Sequence, residues 1–330
     1  MSGNGRRGSI LVIGGGISGL TAAMEAAEAG ADVTLVEKEA FIGGRVARSN
    51  LYFPKMCPPT CGLEINLRRV KTHPRIRTLT LSTVESLKGG PGNYQATILK
   101  APRFVNSKCT VCGECEKVCP VDRPDAFNVG LSETRAIYLP FEMAYPARFV
   151  VDEETCLGAG ECGKCVEACP YDAIELDMAP EKMEMEFHAV IWATGWDPPD
   201  AGKFEGLGFG QYANVINNVT MERLAAVNGP THGKILRPSD QKAPESVAFV
   251  QCAGSRDENY YKYCSGVCCA ASLKQARYIR EQYPDAQVYI FYIDIRTPGR
   301  LEDFYVATEA DEKLTLVKGK VANITEDQGT

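Results

Sequence analysis

Short apolar runs and helix-favouring segments alternate near the start of this chain. Residues 10–13 are apolar throughout, residues 20–29 are rich in alanine, and residues 33–36 are again apolar. Gly30 follows the alanine-rich segment, where a glycine commonly ends a helix. The pattern predicts a strand, a helix and a second strand, the unit from which α/β folds are built.

The same rhythm returns later in the chain. Residues 247–251 and 288–293 are apolar enough for strands, and residues 269–283 between them favour a helix. Residues 314–318 predict a further strand. Between these two regions, residues 106–175 have a different texture, with frequent cysteines and few long apolar runs.

Composition and charge narrow the class of protein. A length of 330 residues predicts two domains, or one domain with an insertion, and 45% hydrophobic residues are enough for a sizeable core. The net charge of −6 without a basic block excludes nucleic acid as an expected partner. No apolar run approaches the ~18 residues of a membrane span, so no direct membrane span is expected. Residues 1–9, with Arg6 and Arg7, suit a polar lead-in better than an export signal, which predicts a cytoplasmic location.

A glycine-rich turn joins the first predicted strand and helix. Its spacing is that of a dinucleotide fingerprint: Gly14 for the tight turn, Gly16 for close approach to a pyrophosphate, and Gly19 for helix packing. Glu37, followed by Lys38, ends the second strand, where a carboxylate can bind ribose hydroxyls. Strand, helix and acidic residue agree, so a bound dinucleotide is predicted.

Further motifs resemble those of the glutathione and thioredoxin reductase flavoproteins. Gly44 and Arg45 follow the second strand, Val84 stands where that group's third strand touches the adenine, and residues 193–195 follow a late strand. The resemblance implies FAD rather than NAD, with Ala193, Thr194 and Gly195 in the flavin site. The expected fold is α/β, a thioredoxin-reductase-like FAD-binding Rossmann fold.

Fourteen cysteines stand out, and their spacing suits metal binding better than disulfides. Two sets have the spacing of bacterial two-cluster ferredoxins, in which each fourth cysteine binds the other cluster. Zinc is the alternative, but it is not natural for a four-cysteine run that ends in proline. One predicted [4Fe–4S] cluster is held by Cys109, Cys112, Cys115 and Cys169, and the other by Cys156, Cys162, Cys165 and Cys119. Cys156 is the weakest member, because five residues separate it from Cys162; Gly158 and Gly160 would let that loop bulge.

A third cysteine set replaces the glycine fingerprint expected for a nicotinamide site. Cys252 follows the strand at residues 247–251, and Cys264, Cys268 and Cys269 precede or begin the next helix. We expect a third cluster here instead of NAD(P)H; the alternative is four free cysteines in a packed loop.

The chain resembles the A subunits of heterodisulfide reductases in residues 251–257 and in the cysteines and Lys274 that follow. Residues 52–66 resemble more closely the corresponding subunit of the quinone-interacting membrane-bound oxidoreductase. The resemblance implies FAD, an inserted ferredoxin unit and a non-standard [4Fe–4S] cluster on Cys252, Cys264, Cys268 and Cys269. It places Lys274 near the flavin ring, where a cation could stabilise reduced flavin; the alternative is a solvated helix lysine. It also implies three kinds of partner: adenylylsulfate reductase, a membrane protein that interacts with quinone, and a second flavoprotein or iron–sulfur subunit.

Two features leave questions open. Cys57 and Cys61 lie near the position of the redox-active pair in disulfide reductases, but three residues rather than four separate them. A catalytic disulfide, a role in metal binding or electron exit, and a structural loop all remain possible. The family pattern also continues beyond the strand at residues 314–318, so a truncated chain is expected.

These observations predict four regions. Residues 1–105 and 179–243 form the FAD-binding domain, residues 106–178 an inserted ferredoxin-like unit, and residues 244–330 a second Rossmann-like unit. The expected function is electron transfer between flavin, clusters and partner subunits, in a quinone-linked complex that is peripheral to the membrane and coupled to adenylylsulfate reduction. There are three alternatives: the flavin subunit of a heterodisulfide reductase, with or without electron bifurcation, a stand-alone NAD(P)H-dependent flavoenzyme, and an assembly protein with structural clusters.

Overall fold

The computed structural model describes residues 8–327, so most of the polar lead-in at residues 1–9 lies outside the described residues. The chain divides into two compact units. The described part of the first comprises residues 8–47 and 60–196, and that of the second comprises residues 48–59 and 197–327. The division places residues 197–243 with the second unit, whereas the sequence pattern suggested that they continue the first.

The first unit contains eleven strands and five helices among its described residues. In chain order they are β1 (Ser9–Ile13), α1 (Ile17–Glu28), β2 (Asp32–Val36), α2 (Thr60–Thr72), β3 (Ile76–Leu79), β4 (Ser82–Gly90), β5 (Asn93–Lys100), α3 (Glu114–Lys117), β6 (Asp122–Pro124), β7 (Glu133–Arg135), β8 (Ile137–Tyr138), β9 (Val150–Val151), α4 (Gly158–Glu161), α5 (Lys164–Glu167), β10 (Glu181–Phe187) and β11 (Ala189–Trp192). A 3₁₀ turn, Gly44–Arg48, follows β2.

A parallel four-stranded sheet has the order β11-β1-β2-β3. Strand β1 lies between two partners, and Ile13 pairs with both Val36 and Trp192. Helix α1 buries Leu20, Ala23, Met24 and Ala27, which recur at helical spacing on one face. Gly30, with φ +100°, follows the helix as predicted. The predicted strand–helix–strand unit is confirmed.

A second, antiparallel sheet has the order β10-β5-β4. Its buried side chains include Ala96, Ile98 and Phe187, which pack with Leu11 and Val36 of the parallel sheet. Val84 lies on β4, the fourth strand in chain order rather than the third, with a register shift between Val84 and Ser86. Its expected contact with the adenine stays a prediction.

The cysteine-rich segment lies between two paired strand ends. Lys100 of β5 pairs with Glu181 of β10, and the intervening residues form two small ribbons, β6-β7 and β8-β9, with three single-turn helices. Phe104, Val105, Ile137, Phe149 and Ile174 form a separate core together with Cys115 and Cys165. Because its ends pair in the sheet, the segment has the connectivity of an insertion.

The second unit contains a parallel three-stranded sheet. Its elements are a 3₁₀ turn (Ala201–Lys203), α6 (Asn218–Ala225), β12 (Ser246–Val250), α7 (Cys268–Gln282), β13 (Gln287–Tyr292), α8 (Leu301–Glu309) and β14 (Leu314–Lys318). The strand order is β12-β13-β14, and Leu273, Ile279, Val288 and Ile290 are fully buried in its core. The predicted strands and the helix α7 are confirmed within one or two residues; α8 was not predicted.

Among the described residues, no helix combines the length and apolar character that crossing a bilayer requires.

Candidate functional site

The glycine turn after β1 is in backbone contact with two other elements. Gly14 has φ +106°, and a Cβ atom there would lie 2.2 Å from the Ala193 carbonyl oxygen. A Cβ atom at Gly19 would lie 1.8 Å from the Gly14 carbonyl oxygen. Both positions therefore exclude any side chain, as the dinucleotide fingerprint requires.

The N-terminus of α1 is open at Gly16. The described heavy atom nearest to a Cβ atom there would be Gly44 Cα, at 3.9 Å. The Gly43 N–H donates to the Gly15 carbonyl at 2.8 Å, so the backbone at Gly43 and Gly44 lies against the glycine turn after β1. No side chain in the described part of the chain caps α1, and its first turn has no acidic residue. The N–H groups of this helix start suit a pyrophosphate.

Glu37 is buried at the end of β2 and is held by the same turn. Its Oε2 accepts a hydrogen bond from the Gly15 N–H at 2.6 Å, and its Oε1 accepts one from the Glu39 N–H at 2.9 Å. A carboxylate oxygen has further lone pairs, so ribose hydroxyls remain possible partners. Lys38 is exposed.

Arg45 and the turn at residues 193–195 are also brought together. The Ala193 N–H donates to the Ile13 carbonyl at 2.8 Å, and Gly195 has φ +71°. Arg45 Nε donates to the Trp196 carbonyl at 2.5 Å, and its guanidinium lies 4.5 Å from the centroid of the Trp196 ring. Sequence reasoning missed Trp196, although it directly follows a motif that was identified.

Two cavities in the inserted segment separate the eight ferredoxin-type cysteines into two sets of four. One has about 300 Å³ of space between protein atoms, part of it open to solvent, and its lining includes Cys109, Cys112, Cys115 and Cys169. The other has about 350 Å³, and its lining includes Cys119, Cys156, Cys162 and Cys165. In two-cluster ferredoxins the fourth cysteine of each motif binds the other cluster. The structure brings together the two sets of cysteines that this pattern predicts. Among the described residues, no three His, Cys, Asp or Glu side chains are arranged to hold a single metal ion.

The five-residue spacing after Cys156 is absorbed by a single helical turn. Helix α4 begins at Gly158, whose φ of +76° favours glycine, and Cys156 reaches the same cavity as its partners. The Gly158 N–H also donates to Cys156 Sγ at 3.4 Å, and the Ala173 N–H donates to Cys169 Sγ at 3.4 Å. Such N–H donors stabilise thiolate sulfur.

Burial controls the protonation of two of these cysteines. It raises the pKa of Cys115 to about 12 and that of Cys165 to about 11. Both are therefore thiols at neutral pH unless a metal displaces the proton, and a cluster that binds them must release protons.

The third set of cysteines also converges, at the turn from β12 to α7. Cys252 is buried and has φ +56°, a left-handed conformation that is uncommon for a residue with a side chain. Burial raises its pKa, and nearby Cys268 and Cys264 add to that rise. A hydrogen bond from Cys269 lowers the pKa of Cys268. Four sulfurs thus lie around one turn.

Gln251 precedes this set and was missed by the sequence reasoning. Its side chain is buried; Oε1 accepts from Cys269 Sγ at 3.5 Å, and Nε2 has no hydrogen-bond partner among the described residues. Leaving a buried amide unsatisfied costs about 1–3 kcal/mol. An unsatisfied donor beside four thiols fits a site that gains an acceptor when it is filled.

Lys274 lies on α7 and is buried, so the interpretation as a solvated lysine is wrong. Its Nζ lies 2.9 Å from Glu222 Oε1 and donates to the Leu51 carbonyl at 2.9 Å. Tyr278 Oη also bonds to Glu222, and burial raises the pKa of this phenol, with the Glu222 charge adding to the rise. Glu222 and Tyr278 were not predicted. Neither belongs to a sequence motif, and Glu222 lies far from Lys274 in the chain.

Cys57 and Cys61 fall in different units. Cys57 is half-buried in the segment 48–59 of the second unit, and Cys61 is exposed on α2 of the first. The role of these two cysteines remains a prediction.

Two sequence families match parts of the chain. The family described as FAD dependent oxidoreductase matches residues 9–66, and the 4Fe-4S dicluster domain family matches residues 108–173. The first match covers the glycine turn, and the second covers both cysteine cavities. The chain thus carries a segment of an FAD dependent oxidoreductase family and a 4Fe-4S dicluster segment, in agreement with the predicted cofactor types.

Curated relatives match nearly the whole chain. The A subunit of the Ferredoxin/F(420)H(2)-dependent CoB-CoM heterodisulfide reductase of Methanosarcina acetivorans is 41% identical over 319 residues, which are 96% of this chain and 40% of that protein. The second iron-sulfur A subunit of the CoB--CoM heterodisulfide reductase of Methanopyrus kandleri is 43% identical over 323 residues, 97% of this chain and 49% of that protein. This chain is a homologue of the heterodisulfide reductase A subunits. The homologue spans less than half the length of these two relatives.

Among solved structures, the thioredoxin reductase of Lactococcus lactis aligns with 98% of this chain and 68% of its own chain, at 12% identity and a TM-score of 0.45. The fold assignment rests on the strand orders and the glycine turn described above.

Proposed function

We infer that this chain is the electron-transfer part of a multi-subunit oxidoreductase of the heterodisulfide reductase type. It would hold FAD at the Gly14 turn, two [4Fe–4S] clusters in the two cavities, and a third cluster at Cys252, Cys264, Cys268 and Cys269. When bound, FAD supplies the junction between two-electron and one-electron chemistry, and the clusters conduct single electrons.

The partition of eight cysteines between two cavities carries this proposal. Each cavity takes three cysteines from one motif and the fourth from the other, the arrangement used by two-cluster ferredoxins. Both cavities belong to the same compact unit as the glycine turn. A single unit that holds flavin and clusters suits electron transfer between them.

The turn from β12 to α7 argues against a stand-alone NAD(P)H-dependent enzyme. A pyrophosphate needs open backbone at the N-terminus of the helix after the strand. Here Cys268 is the first residue of α7, and the buried Cys252 follows β12. The thiols take the place that the phosphates would need, which favours a partner protein as electron donor or acceptor.

Lys274 is the residue that we propose to lie near the flavin ring. The Glu222 carboxylate and the Leu51 carbonyl hold its ammonium group in place. An ordered cation of this kind stabilises negative charge on a nearby flavin. This role rests on the family resemblance, and the buried pair supports it.

The cofactor content of the anaerobically purified full chain tests the proposal. Three four-iron clusters predict about twelve iron and twelve sulfide ions with one FAD per chain. About eight iron ions would contradict the third cluster, and absence of FAD would contradict the flavin assignment. Redox-silent clusters without flavin would instead support an assembly protein.

A quinone-linked complex coupled to adenylylsulfate reduction is the second candidate. The segment at residues 52–66 favours it, because its sequence resembles the corresponding subunit of the quinone-interacting oxidoreductase. In that case the partners would include adenylylsulfate reductase, a second flavoprotein and a membrane protein that interacts with quinone, and the chain would be peripheral to the membrane. Purification of the native complex, followed by assays with a quinol and with CoB-CoM heterodisulfide, separates the two candidates.

A further inference from the structure

Gln251 presents a buried amide to the third cysteine set. It follows β12, where its backbone N–H donates to the Phe291 carbonyl at 3.0 Å and fixes the residue in place. The residue is only 3% exposed. Its Oε1 lies 3.5 Å from Cys269 Sγ, while its Nε2 has no hydrogen-bond partner within the described chain. The Oε1 atom thus has one long hydrogen bond, and the Nε2 atom has none among the described residues.

Cys269 cannot satisfy this glutamine while it remains a thiol. Its single proton has three acceptors in reach: Gln251 Oε1 at 3.5 Å, the Asp294 carbonyl at 3.7 Å and the sulfur of Cys268. A thiol donates one hydrogen bond, and it offers little as an acceptor to the Gln251 NH₂ group. The buried Nε2–H donor of Gln251 therefore has no acceptor among the described residues while Cys269 is a thiol.

Binding of Cys269 to iron reverses these hydrogen-bonding roles. A cysteine sulfur bound to a cluster has no proton and accepts hydrogen bonds. A half-turn of the Gln251 amide exchanges Nε2 and Oε1, which differ little in size. The rotation places an N–H donor where Oε1 now faces Cys269 Sγ, and so gives the unpartnered group an acceptor.

We propose that Gln251 is a positioning residue that donates an Nε2–H···Sγ hydrogen bond to Cys269 and raises the reduction potential of the third cluster. The proposal rests on the proposed function, which assigns that cluster to these four cysteines. The physical reason is charge: the reduced cluster is more negative, so a donor to its sulfur stabilises the reduced state more than the oxidised one.

The potential of the third cluster, followed by EPR during a redox titration of the full chain, tests the role. Gln251→Leu keeps the approximate size and removes the donor, and we expect a shift to more negative potential. Gln251→Glu keeps the shape but offers only acceptors and a charge, so its shift should be larger. Gln282→Leu is the matched control, since that amide bonds to the Gly233 carbonyl at 2.8 Å and the Ile235 N–H at 3.0 Å, away from the cysteines.

An unchanged potential in both Gln251 variants, with the third cluster present, would overturn this inference and leave the proposed function standing. About eight iron ions in the unsubstituted chain would instead remove the third cluster itself. A second measurement uses the unsubstituted chain, so it tests the inference even where the Gln251 variants fail to fold. Protein labelled with ¹⁵N in glutamine side chains should show ¹⁵N hyperfine coupling in the reduced third cluster, and absence of that coupling would also overturn the inference.

Discussion

Gly19 illustrates how much of the flavin site depends on a missing side chain. The residue is buried at the start of α1, and an added Cβ atom would lie 1.8 Å from the Gly14 carbonyl oxygen, which is backbone and cannot move aside alone. Gly62 on α2 is a useful contrast, because a Cβ atom there would meet no described atom within 4 Å. The two glycines share a helical setting but differ in their surroundings.

We expect Gly19→Ala to lose most FAD binding and to destabilise the chain by about 1–3 kcal/mol, the usual range for overpacking. Gly62→Ala should bind FAD normally and gain about 0.5–1 kcal/mol, because alanine favours helix. Equilibrium dialysis of FAD and denaturant unfolding measure both effects. Normal FAD affinity in Gly19→Ala would show that α1 can move away from β1 without harm to the site.

Site residues that belong to a short sequence motif could be predicted from the sequence. Site residues whose contacts lie far away in the chain could not. Gly14, Gly16 and Gly19 follow from spacing alone, and the structure places them in one turn. Gln251 and Glu222 have no such signal, because the atoms that they meet, on Cys269 and Lys274, lie 18 and 52 residues away in the chain. Contacts of that kind depend on how α7 packs against α6 and β12, which the local hydrophobic pattern does not encode.

At the scale of elements, α4 shows how an irregular motif is accommodated. Its single turn takes up the residues between Cys156 and Cys162, and it begins where the backbone is left-handed, at Gly158 with φ +76°. Gly160 lies within the same turn, but it has an ordinary φ and no described neighbour within 4 Å of an added Cβ atom. The sequence suggested that both glycines let the loop bulge, and the structure gives the left-handed conformation to Gly158.

We therefore expect Gly158→Ala to cost about 1–2 kcal/mol, the penalty of a left-handed residue with a Cβ atom. The strain should also displace Cys156 and lower the occupancy of the cluster that we propose for that cavity, whereas Gly160→Ala should be neutral. Iron content and EPR of the two variants, compared with the unsubstituted chain, measure this difference. Equal cluster content in both would mean that Cys156 tolerates a different loop conformation.

At the scale of the whole molecule, the chemistry is divided between two compact units. The first holds the glycine turn and both cysteine cavities, and the second holds the third cysteine set and the Lys274–Glu222 pair. The sequence predicted the strand–helix–strand core of each unit from apolar runs and glycines, since strands and short turns are local features. The sequence pattern assigned residues 197–243 to the FAD-binding domain, whereas the structure groups them with the second unit. That stretch has few regular elements, and its packing follows from long-range contacts.

The second unit has the strand and helix order of a nucleotide-binding domain, but its turn carries thiols where phosphates would bind. We expect NADH and NADPH to reduce the flavin of the full chain more slowly than about 0.01 per second, whereas enzymes that use such donors commonly turn over at about 1 per second or faster. Dithionite under the same anaerobic conditions provides the control, because it needs no binding site and should reduce the flavin completely. The measurement is stopped-flow absorbance of the flavin. Rapid reduction by NAD(P)H would place a nicotinamide site in this chain despite Cys252 and Cys268, and would favour the stand-alone enzyme over a polypeptide that receives its electrons from a partner protein.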